Sequence, residues 1–148
     1  LAGPKASLVR NASGATALHY LAGSGAPRSH IEYLCSINGV QSALNATTVK
    51  GGTPLHWASG VPQTEDFSDT LHALLDLGAC VDPPPTSEKG SISALVFAAA
   101  NSHDVHAKLL IERGADRGAI LSGGVTLYHM AADLKLPGML RALIDADG

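Results

Sequence analysis

The side chains best suited to chemistry are seven histidines and two cysteines. His103 and His106 stand three residues apart where a helix is expected to start, a spacing that can bring two imidazoles over one metal ion. Asp104 is the only further ligand type beside them, so this pair falls short of a specified metal site. His30 and His72 belong to no motif, whereas His19, His56 and His129 recur in similar surroundings. Cys35 and Cys80 are too few to staple a chain of this size, and they suit a reducing compartment or two small apolar packing positions. A disulfide between them stays open at this point. There is no phosphate-binding loop, no G-x-S-x-G elbow, no H-E-x-x-H helix and no paired Cys-x-x-Cys set. No cofactor, metal or catalytic residue is therefore expected.

The elements that would position these groups come from the patterning of the whole chain. Its 148 residues carry ten Lys and Arg against thirteen Asp and Glu, a formal charge of −3, which fits one ordinary domain or a short repeat array. No basic cluster offers the electrostatic footprint of a nucleic-acid binder. The apolar bursts are all short, so no membrane insertion is expected. The first residues, Leu1 to Lys5, lack the charge and apolar order of a secretory signal.

The chain repeats itself. Thr53-Pro54-Leu55-His56-Trp57-Ala58 is followed by Leu74-Leu75-Asp76-Leu77-Gly78-Ala79, and weaker copies begin at Thr16, Ser93 and Thr126. These starts lie 37, 40 and 33 residues apart. The first motif resembles the ankyrin signature T-P-L-H-x-A and the second its repeat ending, as does Leu109-Leu110-Ile111-Glu112-Arg113-Gly114-Ala115-Asp116. The resemblance implies an all-α solenoid of stacked helix-turn-helix pairs with hairpin-like finger loops, covering the chain as a single array. Residues 1–15 read as the tail of a preceding repeat or an N-terminal cap. The fourth copy departs most, since Leu127-Tyr128 replaces the Pro-Leu order and Pro137 falls at the turn between helices. The chain is expected to be part of a longer protein, because Leu140, Leu143 and Ile144 close the last helix without a visible polar cap.

Excess length should sit in loops. Gly23-Ser24-Gly25-Ala26-Pro27 and residues 60–67 fall between paired helices, and residues 81–90 form a longer finger stiffened by Pro83-Pro84-Pro85. The Gly51-Gly52 and Gly123-Gly124 pairs read as finger turns. The hydroxyls of Thr16, Thr53, Ser93 and Thr126 are placed to cap helices, with Pro54 at a first helical position. Val105, Leu109 and Leu110 are expected to face neighbouring pairs.

In ankyrins the histidine slot is structural, so the resemblance gives His19, His56 and His129 the task of bridging adjacent repeats; Val96 replaces it in the third copy. The following slot holds Tyr20, Trp57, Phe97 and Met130, three of them among the six Phe, Trp and Tyr residues of the chain. Such a row is either an interface strip or packing between first helices. Around it, the finger positions Ser13, Lys50, Lys89 and Ser122 and the helix-end positions Asn101, Asp133 and Lys135 would form a polar rim. The family implication is a scaffold or adaptor module that binds a protein or peptide, inside the cell in cytoplasm or nucleus. The alternative is the regulatory ankyrin portion of a larger enzyme, receptor or channel.

Overall fold

A computed structural model describes residues 9–38, 44–60, 68–82 and 93–147. Eight α-helices occur among the described residues: α1 Ala17–Gly23, α2 Arg28–Asn38, α3 Pro54–Ser59, α4 Ser68–Asp76, α5 Ala94–Ala100, α6 Asp104–Glu112, α7 Leu127–Asp133 and α8 Pro137–Asp147. A 3-10 turn covers Ser122–Gly124, and the only bridge outside helices among these residues pairs Ile120 with Thr126. The fold is all-α.

The helices form two layers. In one layer α1 packs on α3, α3 on α5 and α5 on α7; in the other α2 packs on α4, α4 on α6 and α6 on α8. The partners α1 with α2, α3 with α4, α5 with α6 and α7 with α8 close each pair. Leu18, Leu55, Leu95 and Leu127 from the first layer meet Leu71, Leu74, Leu110 and Leu143 from the second, all fully or almost fully buried. Ala22, Ala58, Ala98, Ala99 and Ala131 keep the first-layer helices narrow, so their backbones approach closely.

The four aligned positions are all helix N-caps. Thr16, Thr53 and Thr126 share φ of −98° with ψ of 171°, 167° and 170°, and Ser93 is also extended. The Oγ atoms of Thr53, Ser93 and Thr126 accept the backbone N–H three residues on. Before three of these caps the chain makes the same turn. Asn11 N–H donates to Ala15 O, Thr48 N–H to Gly52 O and Leu121 N–H to Val125 O, at 3.0, 2.9 and 2.8 Å. Within each turn Gly14, Gly51 or Gly124 donates back to Asn11, Thr48 or Leu121. These three positions have φ of 81°, 84° and 77°, which only glycine adopts without strain. The first two turns also dock on each other, with Val49 N–H donating to Ser13 O at 2.9 Å. Thus the Gly51-Gly52 and Gly123-Gly124 pairs do lie in turns, while the Pro83–Pro85 finger and residues 61–67 fall outside the described residues.

Two expectations need correction. Val105 is 53% exposed, and His106 takes the inward place beside Leu109 and Leu110. The reason is helical phase: positions 106, 109 and 110 share one face at three- and four-residue spacing, and 105 points away. Pro137, expected to interrupt a turn, is the first residue of α8, where a missing N–H breaks no intrahelical bond. Of the closing apolar trio, Leu143 is buried and Leu140 half-buried, and Ile144 stands 56% exposed.

Asp104 explains why a Pro-Gly pair works at the start of α8. Its carboxylate accepts the N–H groups of Gly138 and Met139 at 2.9 and 2.7 Å, tying α6 to the first turn of the next second-layer helix. A Cβ at Gly138 would come within 2.8 Å of Asp104 Oδ2. Asp104→Ala should cost about 1–2 kcal/mol of unfolding free energy, and Asp104→Asn about half as much because one acceptor oxygen survives. Urea unfolding measures both, and an Asp104→Ala protein as stable as the parent would contradict the cap.

On the outer side of the second layer, Asp76 accepts from Arg28 at 2.5 Å and from Arg113 at 2.7 Å, spanning three successive pairs. The two guanidinium hydrogen bonds hold its carboxyl below the usual carboxylate range. The ladder is exposed and screened by water and salt, so it orients the helices more than it stabilises them.

Candidate partner-binding face

Tyr20, Trp57, Phe97 and Met130 stand four residues after the caps, and their N–H groups donate to the cap carbonyls of Thr16, Thr53, Ser93 and Thr126. The backbone therefore presents all four side chains from the same helical position. Tyr20 is 56% exposed and Phe97 38%, whereas Trp57 and Met130 are half-buried. The Trp57 ring stands edge to face with Tyr20 at 5.4 Å and with His19 at 5.2 Å between centroids. Such pairs add about 0.5–1.5 kcal/mol beyond the area they bury. The row is thus neither wholly core nor wholly surface: Trp57 is wedged, and Tyr20 and Phe97 offer open ring surface.

Glycines in the preceding pair seat the rings. Gly23 and Gly60 each follow the preceding row residue by three positions, at the loop starts expected from the sequence. A Cβ on Gly23 would come within 3.0 Å of Trp57 Cε3, and one on Gly60 within 2.6 Å of Phe97 Cε1. Each ring lies in a notch made by the missing side chain of the preceding pair. The signal was available, since the same position holds Ala100 and then Asp133, small in three copies and charged in the fourth.

The histidine before the row residue fixes the strip from below. His19 Nδ1 accepts the Thr16 N–H at 3.0 Å, so the proton sits on Nε2, which donates to Gly52 O at 3.0 Å in the next turn. His56 and His129 make the same contacts with Thr53 and Thr126, at 3.2 and 3.1 Å to the backbone N–H. His19 and His56 are buried, and His129 is exposed.

His103 and His106 converge on a carbonyl of the preceding helix pair. Both aim Nδ1 at Ser59 O, at 2.8 and 3.4 Å, with rings 5.4 Å apart. A carbonyl can only accept, so Nδ1 carries the proton and His106 Nε2 is left as a buried acceptor without a partner. Asp104 is committed to α8, and no group of three metal-ligating side chains occurs among the described residues.

Burial is the largest influence on both His19 and His106 and lowers their pKa below 6.5, against the opposing hydrogen bonds to Gly52 O and Ser59 O. The unfolded chain then takes up protons at a higher pH than the folded one. Stability from these two groups is complete above about pH 6.5 and falls as pH drops through 6.5 toward their folded values. Urea midpoints should be lower at pH 5.5 than at pH 7.5, with a smaller difference in His106→Gln. A midpoint that rises on acidification would be incompatible with neutral buried rings.

The polar rim is less uniform than its sequence implied. Lys50 and Asp133 are exposed, at a turn and at the last residue of α7. Asn101 is exposed but spends its amide on Phe97 O at 2.8 Å, and Ser13 donates its hydroxyl to Asn11 Oδ1 at 2.8 Å. Lys89 lies outside the described residues. Cys35 is buried and Cys80 half-buried, and both are free thiols; burial pushes the Cys35 thiol pKa up.

No protein-family model matches this chain, and no curated protein matches it. Among the described residues no helix is long and apolar enough to cross a membrane. The row itself offers aromatic surface, the Tyr20 hydroxyl and the Trp57 indole N–H, with Lys50 exposed on the neighbouring turn.

Proposed function

We propose that this chain is an ankyrin-type repeat array that binds another protein or peptide, as a scaffold or adaptor, through the face carrying Tyr20, Trp57, Phe97 and Met130. In this reading the segment performs no catalysis. The repeated caps, turns and histidine contacts support the array. The observation that carries the binding role is that four large side chains leave the same backbone position in successive pairs, two of them with open ring surface. Exposed aromatics on a rigid frame gain contact area at little entropic cost, which is why they dominate interface hot spots. Lys and Arg are outnumbered by Asp and Glu, which favours a protein ligand over nucleic acid. Two free thiols suit an intracellular, reducing location.

The test compares partners captured from cell extract by the parent and by Tyr20→Ala with Phe97→Ala. Those two rings are the more exposed, so helical circular dichroism should persist, while the urea midpoint drops modestly with the lost Tyr20–Trp57 contact and the emptied Gly60 notch. Proteins retained by the parent and lost by the folded double variant support the proposal. Identical capture by both would remove the row from the binding face.

A further inference from the structure

The hydrogen-bonding capacity left over on the aromatic row narrows the class of its partner. Tyr20 Oη accepts Asn11 Nδ2 at 2.7 Å, and among the described residues its own proton meets no acceptor. The Trp57 indole nitrogen lies beside Gly52, where a Cβ would come within 3.3 Å, and its N–H likewise meets no acceptor among the described residues. The row therefore holds two unspent donors next to open ring surface. The only bridge outside helices among the described residues is Ile120 with Thr126, so these residues present no strand edge on which an extended peptide could add itself by paired N–H and C=O bonds.

A ligand for such a surface should bring acceptors, flat apolar faces and few donors of its own. A proline-rich segment has this composition. Each proline lacks an N–H, its ring packs on aromatic faces, and its carbonyls project outward from a helix that is ordered before binding. Charge adds a second condition. Lys50 sits exposed on the turn that ends at Gly52, two residues from the carbonyl bonded by His19, and forms no ion pair among the described residues. The same turn carries Gly52, against which the Trp57 indole nitrogen lies.

We infer that the row takes a proline-rich segment with an acidic flank, its prolines lying across Tyr20, Trp57 and Phe97, its carbonyls accepting from Tyr20 Oη and Trp57 Nε1, and its acidic residue facing Lys50. This rests on the binding role proposed for the same face, and it commits to one class of occupant among peptides, folded patches and amphipathic helices.

The probe is a displayed library of random twelve-residue peptides selected on the intact chain. Selected peptides should be enriched in proline and in Asp or Glu. The best of them should bind about three- to tenfold more weakly to Tyr20→Phe and to Trp57→Phe, each of which keeps a ring and removes one donor. Tyr20→Phe changes an exposed residue, so it remains decisive if Trp57→Phe folds poorly. Lys50→Ala should weaken the same peptide, and added salt should erase that difference. Selection without proline enrichment, selection of amphipathic helical sequences, or indifference to both donor variants overturns the inference. If partner capture from extract still depends on Tyr20 and Phe97 in that event, the face stands and only its occupant was misjudged; if capture is indifferent as well, the face falls with it.

Discussion

His19→Ala should lower the unfolding free energy by about 2–4 kcal/mol, while His129→Ala should cost less than about 1 kcal/mol. The two histidines hold the same place three residues after a cap threonine, and both accept that threonine's N–H on Nδ1. They differ in surroundings. His19 and Thr16 are sealed from water, so removing the ring strands the Thr16 N–H at about 1–3 kcal/mol and leaves a void beneath Trp57. It also deletes the bond to Gly52 O that ties the first pair to the next turn. At His129 solvent replaces the lost contacts. Because the backbone positions match, intrinsic helix preference largely cancels in the comparison. Urea unfolding followed through Trp57, the single tryptophan, reads both variants. Equal losses would mean that the His19 bonds carry no net stability.

Leu110→Ala should cost about 2–5 kcal/mol, a large share of the roughly 5–15 kcal/mol that holds an ordinary domain together. Leu110 is fully buried on α6, which packs against α4, α5 and α8. No direct packing of α6 on α1 is among the principal helix contacts, and α1 leans chiefly on α2 and α3. The lost protection should therefore be uneven. Amide exchange should accelerate most in α5, α6 and α8 and least in α1 and α2, because the cavity weakens only the surfaces that line it. Uniform acceleration over the eight described helices would indicate one indivisible folding unit instead of pairs coupled to their neighbours.

How far the chain could be read in advance depended on the range of the forces involved. Thr16, Thr53, Ser93 and Thr126 were legible as caps because capping needs only a hydroxyl and an N–H three residues away. Gly51 and Gly124 were legible as turn residues because a positive φ is a local demand. The inward choice of His106 over Val105 was not, since hydropathy favours valine there; the Ser59 carbonyl arriving from the preceding pair makes the polar ring acceptable inside. Asp104 likewise offered itself to the sequence as a metal ligand, and the first turn of α8 brought it two backbone donors 34 and 35 residues away.

The aromatic row divides along the same line. From sequence alone came the equal spacing of Tyr20, Trp57, Phe97 and Met130 from their caps, because one helical turn dictates it. Which rings are wedged and which are open was decided only in three dimensions. Gly23 and Gly60 act on rings belonging to the next pair, across gaps of 34 and 37 residues, and the absence of a side chain has meaning only once its neighbour is in place. The all-helical class and the helix starts follow from bonds a few residues long; the surface left for a partner follows from packing between pairs.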